Sequence, residues 1–101
     1  MTYINTVELR GVIGTVQKTP INQDSIYNFS LCTNLTYSDG SSSVINTTWH
    51  AVKALDKNII GEIAPGKIAH VKGMLENARY VDSGGSERVY TKINASSVEI
   101  E

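Results

Sequence analysis

Apolar and polar residues alternate along most of this chain. Val7, Leu9, Gly11 and Ile13 interleave with Thr6, Glu8 and Arg10, the period-two pattern of a half-buried strand. Gly11 and Gly14 lie in or at the end of this run. Glycine there suits the bulges and tight bends that small barrels need at their corners. Residues 18–24 read as a loop. A second run covers residues 26–37, with Tyr27, Phe29, Leu31, Thr33, Leu35 and Tyr37 on one parity. Residues 38–43 form a turn by their Ser, Asp and Gly content. The third run, residues 44–55, is rich in β-branched residues. It puts Trp49, Ala51, Lys53 and Leu55 on one face, and His50, Val52 and Ala54 on the other.

Residues 56–63 are the helical candidate, with Asp56 as its N-cap and Ala64-Pro65-Gly66 as its stop. A fourth strand follows over residues 67–79, then a flexible loop over residues 80–86, then a last strand over residues 87–100. The pattern predicts an all-β chain of five strands with one short helix between strands three and four. A five-stranded Greek-key barrel plugged by such a helix is the OB-fold. A small sandwich shares this periodicity, so the pattern alone leaves both open.

The composition narrows the picture. The chain has 101 residues, 41% apolar and 19% charged, which suits one folded domain over residues 1–101. There is no basic segment followed by an apolar run at the N-terminus, and no stretch near the ~20 apolar residues of a membrane span. A cytoplasmic protein with no membrane contact is expected. The one cysteine, Cys32, lies within a strand-like run and reads as a small buried apolar residue. Cys32, His50 and His70 lack metal-ligand spacing, so no metal and no cofactor is expected. The chain has no nucleophile elbow, phosphate loop or triad. Asp39 and Asp82 sit in Gly/Ser-rich turns, where aspartate is common for local reasons. The sequence therefore predicts no catalytic residue and no enzyme.

Five segments carry a resemblance. They are Asn5-Thr6-Val7-Glu8-Leu9-Arg10-Gly11-Val12-Ile13-Gly14, Phe29-Ser30-Leu31-Cys32-Thr33-Asn34, Thr48-Trp49-His50-Ala51-Val52, Gly66 through Gly73 to Leu75, and Tyr80-Val81-Asp82-Ser83-Gly84-Gly85 followed by Arg88. In this order and spacing the chain resembles the bacterial single-stranded DNA-binding protein family over almost its whole length. The resemblance implies an OB-fold that holds single-stranded DNA largely independently of sequence, in replication, recombination and repair. It also implies a homo-oligomer, a tetramer of barrel dimers, with a dimer as the smaller option.

Single strands are held by aromatic faces that stack on bases and by cations that follow the phosphates. Trp49 shares its strand face with Lys53 and is the first stacking candidate; the family carries a stacking tryptophan at this motif. Tyr37 and Tyr80 match places where the family puts stacking aromatics. Leu55 stands where the family usually has an aromatic, so it offers apolar contact without stacking. Arg10, Lys53, Lys72, Arg79 and Arg88 are the candidate phosphate contacts. Glu76 and Ala78 occupy a stretch where the family tends to be basic, and Lys92 appears where it often has an acid. His50 and His70 fall on faces that the resemblance assigns to subunit contacts. The family also carries a long tail with an acidic, apolar tip that recruits other enzymes. Here the sequence ends at Val98-Glu99-Ile100-Glu101, so the tail's partner recruitment is not carried over to this chain and its protein partners stay open.

The net charge of −1 pulls the other way. Nucleic-acid binders usually carry a basic surplus, although the local arrangement of charge sets the field a ligand meets. Together with Leu55 and the missing tail, it keeps open a protein-interaction module on the same barrel, such as a primosome-type adaptor with weak or no DNA binding.

Overall fold

The computed structural model describes residues 1–101 except for the side chain of Asp39, so the reading of Asp39 as a turn aspartate lies outside the described residues. Strand β1 (Val7–Ile21) is shared between two neighbours. Its first half pairs with β5 (Ile68–Val81), from Val7↔Gly73 to Val12↔Ile68. Its second half pairs with β2 (Asp24–Asp39), from Val12↔Cys32 to Ile21↔Asp24. The change of partner needs close backbone approach. A Cβ on Gly11 would lie 2.2 Å from the carbonyl oxygen of Cys32, a position no side chain can take. The register with β2 then shifts between Ile13 and Val16, a bulge that bends the strand.

β2 and β3 (Ser42–Leu55) form a long hairpin, in register from Ile26↔Leu55 to Asp39↔Ser42. β5 and β6 (Glu87–Ile100) form another, with one register shift at Lys72/Gly73. The sheet order is β3-β2-β1-β5-β6, and a parallel contact between β3 and β6 at Val52↔Ile93 to Ala54↔Ala95 closes it. This is the five-stranded barrel expected from the sequence. Inside it lie Ile13, Phe29, Leu31, Val52, Ala54, Ala69, Val71, Ile93, Ala95 and Val98. Closure is short, so the far parts of both hairpins leave the barrel as two-stranded ribbons. The radius of gyration is 15.7 Å, against about 13 Å for a compact chain of this length. The ribbons account for the excess.

Two expected elements differ. The helix over residues 56–63 is a three-residue 3-10 turn, Asp56–Asn58. Leu55 holds the N-cap position without a side-chain hydrogen bond, and Asp56 is a first-turn acid. The β-branched pair Ile59–Ile60 prefers an extended form, and it finds partners as strand β4 beside Val98 and Glu99 of β6. Gly61 then turns the chain at φ 104°, against Ile100, where a Cβ would meet the side chain at 2.8 Å. The loop expected over residues 18–24 is also shorter. β1 runs on to Ile21 and β2 starts at Asp24, leaving Asn22-Gln23 as the turn, with Asn22 at φ 53°. Pro20 is tolerated because this half of β1 has a neighbour on one side only.

Candidate nucleic-acid interface

The site follows from strand parity. Val52 and Ala54 of β3 point into the core, so Trp49, Ala51, Lys53 and Leu55 point out. Ile93 and Ala95 of β6 are buried, so Tyr90, Lys92 and Asn94 point out. The parallel register Val52↔Ile93 then sets Ala51 beside Lys92 and makes one outer surface of the two strands. β2 extends it through Asn28, Ser30 and Cys32, which pair with Lys53, Ala51 and Trp49.

Trp49 is 60% exposed, yet it is not a free side chain. Its ring lies against Gly14 of β1, so closely that a Cβ there would fall 2.6 Å from the ring edge and 2.6 Å from Ser30 Oγ. The glycine lets the indole rest on the barrel wall and leave the rest of its surface to solvent. A ring already held in place loses less freedom when a flat ligand stacks on it. Two adjoining hollows, both lined by Ala51 and Lys92, run from here along the β3–β6 seam. One reaches Trp49, His50 and Leu75. The other reaches Gln17, Asn28 and Tyr90, with a volume of about 360 Å³.

The β5–β6 ribbon forms the next wall. Tyr80 pairs with Arg88, Ala78 with Tyr90, and Glu76 with Lys92, so Tyr80 shares the outward parity of Tyr90 and Lys92. Tyr80 and Tyr90 meet edge to face, with ring centroids 5.7 Å apart at 63°, the arrangement the aromatic quadrupole favours. The expected flexible loop at this ribbon's tip is cross-braced. Asp82 Oδ1 accepts from the amides of Gly84 and Ser86, at 3.0 and 2.9 Å. Its Oδ2 accepts from Arg88 Nε at 2.8 Å. The Arg88 hydrogen bond, followed by that from the Ser86 amide, holds the Asp82 carboxyl below its usual pKa.

The expected phosphate contacts separate into two sets. Lys53 is half-buried on the Trp49 row, and no ion pair involves it among the described residues. All three candidate arginines are paired: Arg79 with Glu87 at 2.8 Å, Arg88 with Asp82 at 2.8 Å, and Arg10 with Glu101 at 2.7 Å. The Arg10 contact is two-pronged. It raises the Arg10 pKa and lowers that of Glu101, in both cases chiefly through the side-chain hydrogen bond. Arg10 and Lys72 also stand apart from Trp49. They pair in register with His70 and Glu8 on the outer face of β1 and β5, where His70 contacts Glu8. His50 lies elsewhere, on the core parity of β3, with Nε2 2.9 Å from Thr33 Oγ1.

Tyr37 is not brought to the Trp49 face. It pairs with Val44 and has the parity of Leu31, whereas Trp49 pairs with Cys32. The two rings therefore leave the β2–β3 ribbon on opposite sides of its pleat. Leu55 is half-buried at the hairpin root beside Ile26. Cys32 is half-buried rather than fully so. Its odd offset from Leu31 turns it outward, with Sγ toward Asn34 Oδ1 at 3.7 Å. Tyr90 and Lys92 also point out on this side, although neither is among the candidates the sequence offers. The signal for both was their alternation with Ile93.

No cluster of three or more His, Cys, Asp or Glu residues suited to a metal occurs among the described residues. No helix among them is long and apolar enough to cross a membrane.

A short closed barrel with two projecting ribbons and an aromatic, lysine-bearing groove on its β3–β6 face defines an OB-fold binding module. The chain belongs to the single-strand binding protein family, whose sequence pattern it matches over residues 4–101. Solved structures share the fold at low identity. A Plasmodium falciparum SSB in complex with single-stranded DNA is 20% identical, covers 100% of this chain and 97% of its own, and superposes with a TM-score of 0.81. A small single-stranded DNA-binding protein from Streptomyces coelicolor is 22% identical over 100% and 96% of the two chains, with a TM-score of 0.72. A deletion mutant of the Thermus aquaticus single-stranded DNA-binding protein is 16% identical over 97% of this chain and 50% of that one, with a TM-score of 0.74. No curated protein matches the chain in sequence.

Proposed function

We propose that this chain binds single-stranded DNA with little regard to sequence and shields it during replication, recombination and repair, without acting on it as an enzyme. The observation that carries this reading is Trp49, seated on Gly14, 60% exposed, in a hollow it shares with Lys92 and on the strand row of Lys53, both lysines without acidic partners among the described residues. Stacking a base on such a ring is worth roughly 1–3 kcal/mol and tolerates any base, since each has a π-face. Lys53 neutralises a phosphate on the same row. Leu55 extends the row as an apolar contact at its far end.

Tyr80 lies on the same side and serves as a second stacking position. Tyr37 requires the strand to pass around the β2–β3 ribbon, or a neighbouring subunit to bring the strand to it. Arg79 and Arg88 reach phosphates only by giving up Glu87 and Asp82, so their net contribution is small. Arg10 and Lys72 lie on the β1–β5 face with His70, and we assign that face to contacts between copies of the chain rather than to DNA. His50 takes the same kind of role at the β2–β3 ribbon. The family relationship favours a homo-oligomer of whole barrels, a tetramer or a dimer, working in the cytoplasm.

Fluorescence anisotropy with labelled oligo-dT, oligo-dA and a duplex of equal length tests the reading. The expected result is binding to both single strands within about tenfold of each other and much weaker binding to duplex. No binding to either single strand at low salt would overturn it and turn attention to a protein partner of the groove.

A further inference from the structure

The cations and aromatics of the groove are not all where the family resemblance puts them. Tyr90 and Lys92 both point outward from β6, on the side where Ala51 lies at the closing β3–β6 contact. Lys92 lines both hollows of the seam, and Tyr90 lines the larger one with Gln17 and Asn28. Tyr90 is 43% exposed, and its ring meets that of Tyr80 edge to face. Lys92 faces Glu76 across the ladder. Glu76 Oε2 instead accepts from Asn94 Nδ2 at 2.9 Å, and no acid forms an ion pair with Lys92 among the described residues. The amides of Gln17 and Asn28 each offer a donor and an acceptor.

We propose that β6 carries a nucleotide subsite of its own, in which Tyr90 stacks on a base, Lys92 holds the adjoining phosphate, and Asn28 and Gln17 meet the base edge. It stands next to the Trp49 position and shares Ala51 and Lys92 with it. The amide pair meets any base edge, so the subsite keeps binding indifferent to sequence. It also supplies the stacking surface that Leu55 does not, and the charge that Glu76 and Ala78 do not. The proposal rests on the single-strand reading above.

The test uses the full chain and oligo-dT, with Trp49 fluorescence as the readout and melting temperature as the check on folding. Tyr90→Ala is expected to weaken binding about fivefold or more, the lower limit for one lost stack. Tyr90→Phe, which keeps the ring, should stay within about twofold of the parent. Lys92→Gln should reduce the slope of log affinity against log salt by about 0.7, the value for one phosphate contact on a single strand. Either an unchanged slope in Lys92→Gln or a folded Tyr90→Ala that binds within about twofold of the parent overturns the subsite. In both of those cases the parent still binds and single-strand binding stands. A parent chain that binds no oligo-dT defeats both proposals together.

Discussion

The two outer faces of this barrel use the same residue types in opposite ways. On the β1–β5 face, most charges are matched, with Lys72 the exception among the described residues. Arg10 grips Glu101 with two hydrogen bonds, and His70 rests on Glu8. On the β3–β6 face, Lys53 and Lys92 stand among Trp49, Tyr90 and small polar side chains, without acidic partners among the described residues. The first face is largely neutralised by its own ion pairs and offers a polyanion little net attraction. The second is suited to a polyanion with exposed rings. A net charge of −1 averages the two and hides the division. It is the local arrangement that a ligand meets.

The largest expected effect is on the groove face. Trp49→Ala should cost roughly 1–3 kcal/mol of single-strand affinity, measured by anisotropy, and leave self-association unchanged. If binding is unaffected, the two faces are not functionally distinct. Gly14→Ala should act in the same direction with a smaller effect. The added methyl must displace both the indole and Ser30 Oγ, each 2.6 Å away, while Gly14 has no positive φ to add backbone strain. A tilted ring stacks less well, and moving Ser30 Oγ weakens its hydrogen bond from the Thr15 amide, so a drop in affinity with a modestly lower melting temperature is the expected result.

A charge exchange between the faces sharpens the contrast. Lys53→Gln should lower the salt slope of DNA binding by about 0.7, while Arg10→Gln should leave that slope unaltered. Sedimentation should show the converse, with Arg10→Gln loosening the assembly. Equal slopes for the two variants would erase the division of labour.

The smallest effect is acid loosening of the β5–β6 turn. Arg88 and the Ser86 amide hold the Asp82 carboxyl below its usual pKa. A carboxylate with a depressed folded pKa contributes its stability above the ordinary value and loses it as pH falls through the folded one. The protection factors of the Gly84 and Ser86 amides, measured against intrinsic rates at each pH, should therefore fall below the usual carboxylate range and hold above it. Hydrogen exchange followed by NMR reads this directly. Glu101 on the other face obeys the same sign through Arg10.

Period-two alternation carried most of the fold. Val52 and Ala54 against Trp49 and Lys53 already told inside from outside on β3, and the structure keeps that division. The helix over residues 56–63 failed because local capping logic cannot see that β6 offers Ile59 and Ile60 a strand partner. The loop expected over residues 18–24 is a shorter turn because its turn-forming residues do not reveal the pairing that β2 supplies. The shared outer row of Trp49 and Lys53 was legible because both stand on one strand. The approach of Tyr90 and Lys92 to that row was not, because it depends on the parallel β3–β6 contact, which joins residues some forty positions apart. The pairing of Arg10 with Glu101 was hidden for the same reason. Tyr37 shows the limit of motif matching. Its position in the run is as expected, yet the register with Val44 turns it away from Trp49.

The most direct test of the central claim is a titration of unlabelled oligo-dT into the protein, following the fluorescence of Trp49, the only tryptophan, at low and then physiological salt. A base resting on the indole predicts strong quenching at saturation and a weaker apparent affinity at the higher salt. Undiminished Trp49 emission at oligo-dT concentrations where anisotropy shows full binding would contradict it, and would place the strand on some other part of the barrel.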